Sequence, residues 1–211
     1  MARGMHIDIS IPEQLNLTTY VLEDNIKKGR GDKIAVYYRD ETYSFKELSR
    51  LTNRMGNVLK SLDVSFEDRV LLILQDSPNW LAGWFATMKI GGVATHAYTY
   101  LKSSDYHYFM NYVRPKVVIA DGSTIETVRK GAAGSAYPKA ILVADAGSVK
   151  LEGREQDLNA LLEAADFELE TAPTTGNDLA LWNFSGGTTG KPKGVPHMHH
   201  DMVVGFHSFQ D

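Results

Sequence analysis

VLLILQDSPNWLAGWFATMKIGGVATHA, residues 70–97, decides the fold class. Val70 to Leu74 is an unbroken aliphatic run, the pattern of a strand buried on both faces. Ser77 and Pro78 then supply a helix cap and a first helical position, Asn79 to Ile90 continue as a helix, and the Gly91–Gly92 pair ends it. Val93 to Ala97 is a second apolar run, so the segment reads strand, helix, strand. The unit recurs downstream. Strands are predicted at Val117–Ala120, Ala140–Ala144 and Leu179–Phe184, with helices near Ser104–Val113, Thr124–Lys130 and Leu158–Ala165 between them. Alternating strands and helices with apolar strands predict an α/β fold, a mostly parallel sheet covered on both faces.

Upstream, KIAVYYRDETY (residues 33–43) alternates apolar and polar residues around a charged turn and predicts a hairpin. Ser44 with Glu47 three residues later has the spacing of a capping box, and Phe45, Leu48, Leu51, Met55, Val58, Leu59 and Leu62 follow at helical spacing. Asp145–Gln156 reads as a surface loop and Thr171–Asn177 as a connector. A last helix starts within Asp201–Asp211 and stops without a cap.

Composition narrows the function. Of 211 residues, 22 are Lys or Arg and 26 Asp or Glu, a net charge of −4 with the signs interspersed, which argues against a nucleic-acid groove. There is no cysteine, hence no disulfide framework, thiolate metal site or Cys nucleophile. Met1–Ser10 lacks the apolar stretch of a signal peptide, and Val70–Leu74 is far short of the roughly 20 residues a membrane span needs. The chain is expected to be cytoplasmic, with no membrane or nucleic-acid partner.

The chemistry sits in Leu179–His200, LALWNFSGGTTGKPKGVPHMHH. A strand runs into a loop with three glycines and three hydroxyl residues in Ser185–Gly190, followed by Lys191 and Lys193. Glycine tolerates positive φ, so such a loop can turn several N–H groups toward one point, and the hydroxyls add donors. Phosphate oxygens are the natural guest, and a lysine supplies the point charge a leaving pyrophosphate needs. The segment is not a Walker A loop, which needs Gly where Ser185 stands and Ser or Thr where Pro192 stands. It is not a G-x-G-x-x-G dinucleotide loop either.

SGGTTGKPKG resembles the phosphate loop of the adenylate-forming enzymes, the superfamily of acyl-CoA synthetases, luciferases and peptide-synthetase adenylation domains. The likeness extends through YSFKELSRLTNRMGNVLKSLDVSFEDRVLLIL and LAGWFATMKIGGVATHAY, and IPEQLNLTTYVLEDN, GRGDKIA and Trp182 are most similar to benzoate-CoA ligases. The resemblance implies that Ser185, Gly186, Gly187, Thr188, Thr189 and Gly190 wrap the β and γ phosphates of ATP. Thr188 and Thr189 would be hydroxyl donors and Lys193 the charged partner, with Mg2+ bridging the triphosphate. It also implies that Thr188, Lys193 and His199 serve catalysis, His199 beside the reacting carboxylate, and that coenzyme A accepts the acyl group from a small carboxylic acid. Gly186 stands where the family more often has Ser or Thr, as in dihydroxybenzoate-type members, and His200 stands where those members place an Asn facing the acid. His200, Phe206 and Phe209 are the implied acyl-side residues.

Blander readings stand beside these. His197, His199, His200 and His207 lack a carboxylate at ligand spacing and no protein-bound metal is expected. Tyr98, Tyr100, Tyr106, Tyr108, Phe109 and Tyr112 have the spacing of a helix core rather than of a ligand wall, and Trp80 and Trp84 read likewise. The family's Y-G-x-T-E segment, adenine site, hinge and C-terminal domain have no counterpart here. Residues 1–211 are therefore expected to be a partial amino-terminal AMP-binding domain, inactive alone. A non-catalytic binding module built from a truncated adenylation fold is the alternative.

Overall fold

The computed structural model describes residues 10–185 and 190–208. The Ser44 cap forms as its sequence predicts: Ser44 Oγ accepts from the Glu47 N–H at 3.2 Å and Glu47 Oε2 accepts from the Ser44 N–H at 2.8 Å. It opens α1, Phe45–Ser61, which buries Leu48, Met55, Val58 and Leu59 along one face. Before it, β1 (Ile34–Tyr38) and β2 (Glu41–Ser44) pair antiparallel around a turn in which Arg39 adopts φ +53°. The strand–helix–strand unit is β3 (Arg69–Ile73), α2 (Pro78–Lys89) and β4 (Val93–His96). Ser77 Oγ accepts from the Trp80 N–H at 3.1 Å, and Gly91 takes φ +81° just past the helix end. A Cβ at Gly91 would also stand 2.6 Å from the Phe66 ring.

Next come α3 (Ser103–Val113), β5 (Val117–Asp121), α4 (Ile125–Ala132) and β6 (Ala140–Ala144). After them come β7 (Glu155–Asp157), α5 (Leu158–Ala164), β8 (Leu179–Ser185), β9 (Lys193–Met198) and α6 (His199–Ser208). Seven strands form one sheet in the order β7-β6-β5-β3-β4-β8-β9, parallel except for β9, which runs antiparallel to β8. One face packs on α1, α2 and α5 through Met55, Val58, Leu59, Ala82 and Leu158. The other packs on α3 and α4 through Tyr106, Phe109, Met110, Ile125 and Val128. The α/β class and the two covered faces are as expected. Among the described residues no helix is long and apolar enough to cross a membrane.

One element departs from the sequence reading, and two stand where it placed none. The loop expected over Asp145–Gln156 ends in β7, a three-residue edge strand on β6. The stretch after Pro192 forms β9. The amino-terminal segment forms two short π-helical turns, Thr19–Glu23 and Ile26–Arg30. Side chains bind that segment to the core: Asn16 Nδ2 donates to Met88 O at 2.8 Å, Thr18 Oγ1 to Phe85 O at 2.7 Å, and Thr174 Oγ1 to Leu15 O at 2.8 Å.

Candidate active site

Ser185 pairs with Lys193 where β8 hands over to β9, so both stand at the carboxyl end of the parallel strands, beside the end of β4. Open α/β sheets bind ligands at this edge, where successive helices leave to opposite faces. That reversal happens here: α2, following β3, lies on one face and α3, following the neighbouring β4, on the other. Ser185, Gly190, Lys191 and Lys193 are exposed. Gly186, Gly187, Thr188 and Thr189 lie outside the described residues, as does Phe209.

The far shoulder of the loop is attached to α3. Tyr108 Oη donates to the Pro192 carbonyl at 2.8 Å, and Lys191 Nζ lies 4.8 Å from the Tyr108 ring centroid. A cavity of about 610 Å³ opens between this shoulder and the end of β4, walled by Tyr98, Tyr100, Tyr108, Phe109, Phe184 and His96. The aromatic set therefore divides instead of forming a single core stripe. Tyr106 and Phe109 are core, whereas Tyr98 and Tyr100, 63% and 77% exposed, stack at 5.1 Å on the cavity rim. The period of α3 sends Tyr106 inward, while the turn after β4 carries its tyrosines out. Trp80 and Trp84 stack at 6.3 Å and pack against the core as expected.

Two residues at this edge went unnoticed in the sequence. His96 ends β4 with Nδ1 buried and without a hydrogen-bond partner among the described residues, and burial holds its pKa below the usual histidine value. Asp121 ends β5 and accepts the Gln75 N–H at 2.7 Å, and burial raises its pKa. The available signal was a polar side chain closing an apolar strand.

His199 and His200 stand elsewhere. β9 is extended, so Met198 lies about 17 Å from Lys193, paired with Leu179 at the amino end of β8. His199 follows it, fully buried, its Nδ1 accepting from the Leu17 N–H at 3.1 Å and its own N–H donating to Asp178 O. Burial pushes its pKa down to about 4, and Nε2 has no partner among the described residues. His200 meets the Gly176 carbonyl through Nδ1 at 2.7 Å and Asp201 through Nε2 at 3.0 Å. Phe206 is exposed on α6. The strand β9 thus separates His199 and His200 from the Ser185–Gly190 stretch. The four carboxy-terminal histidines do not converge either, since His207 meets Tyr20 Oη at 3.0 Å and His197 lies 3.8 Å from Asp201.

The sheet, its helix-covered faces and the donor-rich sequence between β8 and β9 define an α/β domain with its candidate site at the carboxyl edge of the parallel strands. A profile of the family described as AMP-binding enzyme matches residues 22–210, and the chain belongs to that family. It is 31% identical over 185 residues to a 4-hydroxybenzoate–CoA/benzoate–CoA ligase of Rhodopseudomonas palustris, covering 87% of this chain and 33% of that protein. It is 30% identical over 197 residues to a benzoate–CoA ligase of Thauera aromatica, covering 92% and 36%. Among solved structures, an anthranilate CoA ligase in complex with anthranoyl-AMP superposes with a TM-score of 0.85 at 30% identity, over 92% of this chain and 36% of that one. The chain spans about a third of the length of the curated relatives it matches.

Proposed function

We propose that these residues belong to an AMP-forming acid–thiol ligase. A carboxylate attacks the α-phosphorus of ATP to give an acyl-adenylate and pyrophosphate, and the acyl group then passes to the thiol of coenzyme A with release of AMP. The observation that carries this reading is the Ser185–Lys193 turn at the carboxyl end of the parallel sheet. There the exposed Ser185 hydroxyl and Lys193 ammonium offer a donor and a point charge of the kind a triphosphate needs.

In this reading Ser185 to Gly190 hold the β and γ phosphates, with Thr188 and Thr189 as hydroxyl donors. Lys193 stabilises charge growing on the departing pyrophosphate. Mg2+, bound through phosphate oxygens, would neutralise the triphosphate. His199 is a buried acceptor for the Leu17 N–H. Because residues 1–211 match about a third of the relatives' length, this reading assigns them no ligase activity on their own. No observation of fold or site favours a non-catalytic module.

The acid is an aromatic or alicyclic carboxylate without an ortho-hydroxyl, supported by the benzoate-type names of the relatives. The experiment is pyrophosphate release by the protein at the length of its relatives, with benzoate, cyclohexanecarboxylate, salicylate and hexanoate. Benzoate or cyclohexanecarboxylate should give the highest kcat/KM. A clear preference for salicylate or hexanoate overturns the acid class, and no carboxylate-dependent pyrophosphate overturns the activity.

A further inference from the structure

Two adjacent residues of α3 hold the two ends of the Gly-rich turn. Phe109 packs edge-to-face on Phe184, the residue before Ser185, with ring centroids 4.6 Å apart. Tyr108, next in the chain, donates its hydroxyl to the carbonyl of Pro192, the residue before Lys193, and carries the Lys191 ammonium over its ring. Tyr112, one turn on, meets Phe184 edge-on at 5.7 Å and lies tilted against Tyr108 at 5.3 Å, which closes the group. Entry and exit of the turn are therefore referred to one rigid helix on the other side of the sheet edge. The two contacts differ in kind. Phe109 is 3% exposed and belongs to the core, so it fixes where β8 ends whether or not a ligand is present. The Tyr108 hydroxyl is a single directional bond across 84 residues to a carbonyl in a segment with Gly190 on one side and Gly194 on the other. A glycine-flanked segment has much backbone freedom to lose, so one such bond decides how much of that loss is met before a ligand arrives.

We propose that Tyr108 is a positioning residue for the phosphate turn: its hydroxyl holds the Pro192 carbonyl, and so sets where Lys191 and Lys193 stand relative to Ser185. The proposal rests on the phosphate reading of the turn and deepens it. Tyr108 touches no phosphate in this account and acts through the backbone, as a supporting contact does when it keeps a donor set near its productive geometry.

The test is Tyr108→Phe in the protein at the length of its relatives, which keeps the ring for Lys191, Phe109 and Tyr112 and removes only the donor. Amide hydrogen exchange of Lys191, Lys193 and Gly194 should quicken about three- to tenfold, the range expected for one lost neutral hydrogen bond, while α3 amides and the Tm stay unchanged. Tripolyphosphate, titrated by calorimetry, should bind the variant more weakly by a similar factor. Unchanged exchange at Lys193 and Gly194 overturns the proposal whatever the binding result. So does a change that spreads through α3 with a fall in Tm, which would make Tyr108 a packing residue only. A wild-type chain that shows the exchange difference but binds no tripolyphosphate refutes the phosphate reading instead, and with it any phosphate role for Tyr108.

Discussion

Gly194 lies diagonally across the β8–β9 ladder from Trp182 with no room for a side chain: a methyl group on Gly194 would stand 2.2 Å from the indole Nε1 and 2.8 Å from Cε2. The Trp182 ring is flanked by Tyr112 at 5.7 Å and Phe184 at 6.3 Å, which narrows the room it has to move aside. The glycine is required by this close approach and not by its own backbone angles, which lie outside the positive-φ set.

Gly194→Ala should therefore overpack the hairpin at a cost of about 1–3 kcal/mol, a fall in Tm of about 2–10 °C for a chain of this size. The check is thermal unfolding of the single variant beside Gly194→Ala/Trp182→Leu. Removing the indole should return most of the loss, so a double variant as unstable as the sum of the two singles would place the strain elsewhere.

Lys193→Ala should act on rate. Lys193 opens β9 opposite Ser185 and is exposed, whereas Lys191 rests over Tyr108. Losing one charge-assisted contact made most strongly in the transition state costs about 2–4 kcal/mol, a drop of about 30- to 1,000-fold in adenylation with little change in the KM for the acid. Single-turnover measurement of acyl-adenylate in the protein at the length of its relatives checks this. An unchanged rate assigns the charge role to Lys191.

Lys89 and Glu23 give an acid-sensitive contact far from the turn. The Lys89 side chain is 3% exposed, pairs with Glu23 and donates to Asn53 Oδ1 at 2.8 Å. Burial pushes the Glu23 pKa up, but the Lys89 hydrogen bond and charge together outweigh it, leaving the group below its ordinary 4.5. A lowered carboxylate pKa contributes stability above the unfolded value and loses it as pH falls through the folded one. Glu23→Gln should cost about 1–3 kcal/mol at pH 7, and its gap from wild type should narrow as pH falls below the ordinary 4.5 and through the lowered folded value. Tm curves of both proteins from pH 7 to pH 3 decide it, a constant gap assigning the effect to packing.

How far these features can be read in the sequence follows from the range of the contacts that make them. The α1 and α2 caps, the Gly91 stop and the apolar strands are set by neighbours within a few residues, and each appears where its pattern puts it. β9 does not: KGVPHM carries a glycine and a proline and no alternation, and it is a strand only because β8 offers an edge on which proline is tolerated. The amino-terminal turns depend on Asn16, Thr18 and Lys89, bonded to residues as much as 158 positions away. At the site, the donor-rich turn was legible because its chemistry is contiguous. The Tyr108 contact and the position of His96 beside it arise from the crossover that lays β4 against β8. The distance of His199 from the donor-rich stretch was illegible for the same reason, since six residues of chain are a short walk in a turn and about 20 Å in a strand.

His199 supplies the sharpest pH test. It is completely buried, its Nδ1 accepts from the Leu17 N–H, so the proton sits on Nε2, and its pKa falls to about 4 through loss of solvent, only partly offset by Asp178. The folded state therefore holds the imidazole neutral, while the unfolded chain protonates it near pH 6.5. Above pH 6.5 both states are neutral and the group adds no pH dependence. Between about 6.5 and 4 only the unfolded state gains the proton, so stability falls with falling pH, by about 3 kcal/mol if the whole shift is expressed. His199→Asn places an amide oxygen where Nδ1 stands and can keep the Leu17 contact while removing the titration. Urea unfolding at pH 7.5, 6.0 and 5.0 should show wild-type stability declining steeply and the variant declining less, with the two curves converging at the acid end. Parallel curves, or a wild-type imidazole that titrates near 6.5 by NMR, would show that His199 is reached by solvent and is not the buried acceptor that holds Leu17.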